Sequence, residues 1–208
     1  MMPLSGIPTI AFIIRRLRTS NVADTVVLAT TTLPADDVVA DTASGEGIPV
    51  FRGPEEDVLG RYVLAARQFA MQYVVRVTAD CPFVHGWTLD YCLQACMQGP
   101  PFDLATTKPA FPRGLDYEIY PARVLDDIYM QQQLTDAHRE HLTKFIYDFE
   151  TDKGYRIRRL SPPQELAAVQ RTFLIDTKED YDECVRLLAN ADSGLERVYE
   201  LVNDGACA

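Results

Sequence analysis

Tyr73-Val74-Val75-Arg76-Val77-Thr78-Ala79-Asp80-Cys81-Pro82 is the stretch on which the fold is decided. Its first six residues are mostly β-branched or aromatic and show no alternating polar face. That is the pattern of a short strand covered by helices on both sides. The run stops at Asp80, and Pro82 prevents it from continuing. A lone carboxylate is therefore expected just beyond the carboxyl end of a buried strand, the edge at which open α/β sheets bind their ligands.

Working outward, Val58, Tyr62, Ala65 and Phe69 recur at helical spacing behind Glu55-Glu56-Asp57, whose charges suit a first helical turn. Upstream of them lie a short strand, Pro49-Val50-Phe51, and the turn Arg52-Gly53-Pro54. Before these come a helix opened by Pro34, a strand Thr25-Val26-Val27-Leu28-Ala29-Thr30, and a first helix from Pro8 through Ile10, Ile13, Ile14 and Leu17. Downstream, a helix from Trp87 to Met97 precedes a strand at Phe102-Asp103-Leu104-Ala105. The pattern then changes over Pro112 to Glu150, with an extended piece from Leu115 to Tyr120 and two polar helical stretches. This part is expected to be an insertion or a dimer arm, at about 112–150. The chain returns through Tyr155-Arg156-Ile157-Arg158 and a strand Thr172-Phe173-Leu174-Ile175 that ends at Asp176. A last helix carries Tyr181, Cys184, Val185 and Leu188 on one face. Strands alternating with helices predict a single α/β domain over 1–208, with a mainly parallel sheet and helices on both faces.

The 208 residues suffice for one well-buried core, and 47% hydrophobic with 24% charged residues is ordinary globular composition. A formal net charge of -10 argues against a nucleic-acid backbone or an anionic membrane as partner. It permits a nucleotide, because a metal ion can bridge carboxylates to phosphates. Five cysteines, an odd number without paired spacing, fit reduced thiols and a cytoplasmic location. The apolar run Ile7–Ile14 is too short to span a bilayer.

Asp80 and Asp176 each follow a strand, and two carboxylates converging from separate strands suit magnesium, whose remaining ligands are phosphate and water. The plainer alternatives are that Asp80 shapes the turn before Pro82 and that Asp176 caps the helix at Thr177-Lys178-Glu179. From pattern alone both readings stay open. Arg15, Arg16 and Arg18 read as a solvated helix face. Cys92 and Cys96 read as core packing, and His138 and His141 do not form a zinc motif.

Several stretches taken together are specific. They are Val50-Phe51-Arg52-Gly53-Pro54-Glu55-Glu56-Asp57-Val58-Leu59-Gly60-Arg61-Tyr62, Val75-Arg76-Val77-Thr78-Ala79-Asp80-Cys81-Pro82, and Phe111-Pro112-Arg113-Gly114-Leu115-Asp116-Tyr117-Glu118. With Arg139-Glu140-His141-Leu142-Thr143 and Ile175-Asp176-Thr177-Lys178-Glu179-Asp180-Tyr181, they resemble the spore coat polysaccharide biosynthesis protein F family. That family looks like cytidylyltransferases related to the enzymes that activate acylneuraminate and 3-deoxy-manno-octulosonate. The resemblance implies a nucleotidyltransferase fold of the glycosyltransferase-A type and transfer of CMP from CTP to a sugar, a reaction that needs chiefly positioning and charge neutralisation. It implies Mg²⁺ at Asp80 and Asp176, and sugar contacts from Arg113, Asp116 and Glu118, with Arg139 and His141 nearby. Arg52 and Arg61 fall on the nucleotide side, and a homodimer is expected.

The family opens with a strand and a G-S-x-R-L-P-G-K loop that would cradle the triphosphate. Here Met2-Pro3-Leu4-Ser5-Gly6-Ile7-Pro8 resembles the residues that follow this loop. The first, central strand is thus expected to be missing, leaving open sheet edges. His85 stands where the family commonly has an acidic residue. The rival expectation is a non-catalytic remnant of the fold that binds a sugar or a partner protein.

Overall fold

The computed structural model describes residues 2–189. Cys207 lies outside them. The chain opens with a small antiparallel hairpin, β1 (Pro3–Leu4) and β2 (Ile7–Pro8), turned by Ser5 and Gly6 at positive φ. Pro8 then leads into α1 (Thr9–Leu17), in keeping with the proline start expected there. Next come β3 (Leu28–Thr31), a 3-10 turn at Pro34–Asp36, α2 (Asp37–Gly45) and β4 (Val50–Gly53). α3 (Val58–Gln68) follows, N-capped by Asp57, whose carboxylate accepts the Gly60 amide at 2.9 Å. Then come β5 (Tyr73–Arg76), α4 (Gly86–Met97) and β6 (Leu104–Thr106).

The 112–150 stretch supplies β7 (Glu118–Pro121), α5 (Ala122–Tyr129), α6 (Asp136–Glu140), α7 (Lys144–Asp148) and the start of α8 (Glu150–Lys153). β8 (Ile157–Arg159), α9 (Gln164–Ala167) and α10 (Lys178–Leu188) complete the described chain.

The strands form two principal ladders. β3 pairs with β4 in parallel, from Leu28↔Val50 to Thr31↔Gly53. The larger ladder has the order β5-β7-β6-β8, in which β7 runs antiparallel to both neighbours and β6 runs parallel to β8. No hydrogen bonds join the two ladders among the described residues. The β4–α3–β5 crossover carries the chain from one to the other, the connection that normally links parallel strands of one sheet. A cavity of about 1090 Å³ lies between β3 and β5, lined by Ile13, Leu28, Ala29, Tyr62, Val75 and Arg76 among others. Among the described residues, the edges of β3 and β5 that have no ladder partner face each other across this slot.

Helices cover the ladders on both faces. One core gathers Phe12, Phe83, Tyr117 and Phe173 under α1, α4 and α10. A second gathers Leu59, Leu104, Tyr120, Leu125 and Phe145 under α3, α5 and α7. A small third cluster, Ile10, Ile14, Ala43 and Ile48, seats α2 on α1.

Three local readings differ from the sequence. Arg16 is fully buried rather than solvated. It donates to the Val84 and Phe83 carbonyls at 3.1 and 3.3 Å and lies over the Phe12 and Phe83 rings. The expected strand at 172–175 reduces to two bonds, from the Phe173 amide to Arg113 O at 2.8 Å and from the Ile175 amide to Asp80 O at 2.9 Å. The strand expected from Thr25 begins only at Leu28, because Val26 and Val27 have no neighbouring strand to pair with.

Among the described residues no helix is long and apolar enough to cross a membrane.

Candidate functional site

β5 ends at Arg76, and the chain continues past it to a turn closed by the Cys81 amide on Thr78 O at 3.2 Å. This turn leaves Asp80 half-buried at the ladder's rim. The Ile175-to-Asp80 bond sets the next residue, Asp176, beside Asp80, so two carboxylates 96 positions apart in sequence share one rim. Neither carboxylate does the structural work that was its alternative. α10 is capped by Thr177, whose hydroxyl accepts the Asp180 amide at 3.2 Å, while Asp180 returns the bond to the Thr177 amide at 2.8 Å. Among the described residues the Asp80 carboxylate accepts only the Cys81 thiol, at 3.5 Å. Burial pushes that thiol up to about 12, so it stays protonated and does not compete as an anion. Among the described residues no cation pairs with Asp80 or Asp176.

The loop between β6 and β7 crosses the 173–174 backbone at this point. Gly114 sits at φ 88°, and a Cβ there would lie 2.5 Å from the Phe173 carbonyl carbon, so only glycine permits the approach. The crossing delivers Arg113, which is exposed and whose guanidinium has no partner among the described residues. It also delivers Asp116, which accepts the Gly114 amide at 2.9 Å and pairs with Lys108 Nζ at 3.1 Å.

Glu118 lies deeper, at 3% exposure, and both of its oxygens are occupied. Oε2 takes Arg76 Nη1 at 3.3 Å and the Tyr120 hydroxyl at 2.9 Å. Oε1 takes Lys108 Nζ and the Thr143 hydroxyl, each at 3.3 Å. Desolvation lowers the pKa of Lys108, but the fields of Glu118 and Asp116 outweigh it and hold the ammonium above its ordinary value. Burial, followed by the Glu118 charge, pushes the Tyr120 phenol well up, so it remains a donor.

Of the other candidates, Arg61 and His141 line the slot together with Arg76. Arg61 Nη1 donates to Pro54 O at 2.7 Å and Glu55 O at 2.9 Å, while its buried Nε has no partner among the described residues. His141 is exposed beside Glu140, at 3.9 Å. Arg139 pairs with Asp57 at 3.2 Å and lies over Tyr129. Arg52 stands apart. It bonds Thr31 O and Leu33 O at 2.7 and 2.8 Å and pairs with Asp37 at 2.7 Å, bracing the turn after β3.

The fold therefore brings together Asp80, Asp176, Arg113 and Asp116, with Glu118 beneath them. Arg61 and His141 line the slot, Arg139 pairs with Asp57 at the start of α3, and Arg52 is tied to the turn after β3. Two cations escaped the sequence reading, Lys108 and Arg76. Lys108 stands two residues past the end of β6, the same edge position that singled out Asp80. Among the described residues no cluster of three or more metal-type side chains occurs. A pair of unneutralised carboxylates nevertheless fits magnesium, which takes only one or two protein carboxylates when phosphates and water complete its shell.

The cytidylyltransferase family profile matches residues 1–204. The spore coat polysaccharide biosynthesis protein SpsF of Bacillus subtilis (strain 168) is 32% identical over 196 residues, covering 92% of this chain and 80% of that protein. The structure of a cytidylyltransferase from Leptospira borgpetersenii serovar Hardjo-bovis (strain JB197) superposes with a TM-score of 0.89 at 25% identity, covering 99% of this chain and 86% of that one. CMP:2-keto-3-deoxy-manno-octonic acid synthetase, solved with CTP, shares the fold at a TM-score of 0.66 and 16% identity, over 90% of each chain. By sequence and by fold, the chain belongs to the cytidylyltransferase family.

Proposed function

We propose that the protein transfers CMP from CTP to a hydroxyl of a sugar, a 2-keto sugar acid of the kind used in surface polysaccharides, with release of pyrophosphate. The observation that carries this reading is the adjacent pair Asp80 and Asp176, unpaired with any cation among the described residues, at the carboxyl rim of β5. Membership of the family supports it, as do the names of the SpsF relative and of the CMP-sugar acid synthetase that shares the fold.

In the reaction the sugar hydroxyl loses its proton to solvent as its oxygen bonds the α-phosphorus, and the bond from that phosphorus to the bridging oxygen breaks, its electron pair leaving with pyrophosphate. Asp80 and Asp176 would hold Mg²⁺, which when bound supplies positive charge to the phosphate oxygens. Arg113 and Asp116 orient the sugar on the β6–β7 loop side. Arg61, whose Nε has no partner among the described residues, serves the nucleotide from the slot, as do His141 in the slot lining and Arg139 at Asp57. Arg52 acts on the same side by fixing the turn after β3. We place the protein in the cytoplasm as a homodimer joined through the 112–150 region.

Equilibrium binding of CTP with and without Mg²⁺ tests the reading. Magnesium-dependent binding that weakens in Asp80→Asn and in Asp176→Asn is expected. No binding at millimolar CTP would instead favour a non-catalytic protein that uses the rim to hold a sugar or a partner.

A further inference from the structure

We propose that Lys108 is an acceptor-binding residue that reads the carboxylate of an acidic sugar, and that buried Glu118 is the residue that positions it. The inference rests on the cytidylyltransferase reading above and assigns a role to two side chains within it.

Four donors converge on Glu118 from four parts of the chain: Arg76 from β5, Tyr120 from β7, Lys108 from the β6–β7 loop and Thr143 from the segment before α7. A carboxylate accepts about four hydrogen bonds, so Glu118 is saturated and has no lone pair left for a sugar. What it does is fix its donors in place. Lys108 is the donor with capacity to spare. An ammonium has three N–H groups, and Glu118 and Asp116 occupy two of them. The Lys108 side chain is 46% exposed, so the third is free to meet a ligand.

Charge at the rim points to an anion. Leaving Asp80 and Asp176 to a metal, Arg76 and Lys108 pair with Glu118 and Asp116, and Arg113 on the same loop adds a third cation unpaired among the described residues. One positive charge is in excess, in a chain whose formal net charge is -10. Asp116 connects this group to the metal side, because its loop crosses the 173–174 backbone at Gly114, and the next residue of that segment, Ile175, bonds Asp80 O. Lys108 thus stands one carboxylate away from the reacting centre. That is where the acid group of a 2-keto sugar falls, because the carboxyl carbon is bonded directly to the anomeric carbon. Glutamine is isosteric with Glu118 but removes the charge and replaces one accepting oxygen with an NH₂ donor, so it weakens the hold on the donors while keeping the packed shape, and positioning is separable from packing.

The test uses equilibrium binding of an acylneuraminate and of its uncharged methyl ester to protein saturated with CMP and Mg²⁺. CTP binding is titrated separately in every variant. The wild type is expected to prefer the acid over the ester by about tenfold, the size of one charge-assisted hydrogen bond. Lys108→Met should abolish the preference without changing CTP affinity, and Lys108→Arg should restore part of it. Glu118→Gln, checked for folding by its melting temperature, should lower the Lys108 pKa read by NMR of ¹³C-methylated lysine and reduce the preference. A wild type indifferent to acid and ester, or a Lys108→Met protein that keeps the preference, overturns the role of Lys108. An unchanged Lys108 pKa and preference in Glu118→Gln overturns the role of Glu118. Failure of the wider reading shows separately, as absence of CTP binding in the wild type.

Discussion

β6 and β7 on one side, β3 and β5 on the other, are written in similar residues and end in different states. Leu104, Ala105, Ile119 and Tyr120 are essentially inaccessible, whereas Leu28, Ala29 and Val75 are only half-buried and Tyr73 is exposed. The difference is in the neighbours. β6 and β7 have a paired strand on each side, and β3 and β5 each have one on a single side and the slot on the other. Apolar patterning brings a strand to the middle of a protein, but completion of the ladder decides whether its side chains are packed there. The same division runs through the rim. On the β6–β7 side a saturated glutamate organises two cations, while on the β3–β4 side Arg52 is tied to turn carbonyls.

The largest expected contrast is in packing. Leu104→Ala removes a fully enclosed side chain and should cost about 3 kcal/mol, whereas Leu28→Ala, facing the slot, should cost no more than about 1 kcal/mol. Chemical denaturation of the two variants reads the difference, and equal losses would mean that the slot is closed in solution. Next comes the rim. Asp80→Asn should reduce CMP transfer by about 100-fold, roughly the loss of one strong electrostatic contact in the transition state, with the melting temperature little changed. A large drop in melting temperature would return Asp80 to a structural role. Hydrogen exchange sharpens the comparison at the backbone. Amides of β7 should exchange slowly and those on the slot edges of β3 and β5 quickly, and uniform protection would show that the edges are paired.

The smallest effect is at acid pH. Asp103 on the β6 side is held below the usual carboxylate range by its Arg156 hydrogen bond, and Asp36 after β3 by its bonds from Thr31 and Thr30. Both pKa values are lowered by folding. Each group therefore contributes stability above its unfolded value of about 3.8 and loses it as pH falls through the lower folded value. Asp103→Asn and Asp36→Asn should each flatten the fall in stability below about pH 4, and a profile identical to wild type would discount the corresponding pair.

The fold class was legible because β-branched runs and helical spacing are local signals, and Asp80 was legible because a charge at the end of such a run is conspicuous. Partners that arrive from far along the chain were not. Arg16 read as solvated since its charge is visible in sequence, but the carbonyls of Phe83 and Val84 that satisfy it are 67 and 68 positions away. Residues 172–175 read as a strand from their apolar character. They meet only single residues of two different loops, Arg113 and Asp80, so no ladder forms. Nothing local in the sequence marks Lys108, because the partner that gives it meaning, Glu118, is brought beneath it by β7.

The crossing at Gly114 also ties the two halves of the rim together. Any side chain there would press on the Phe173 backbone, so the loop that carries Arg113 and Asp116 and the segment that ends at Asp176 cannot shift independently.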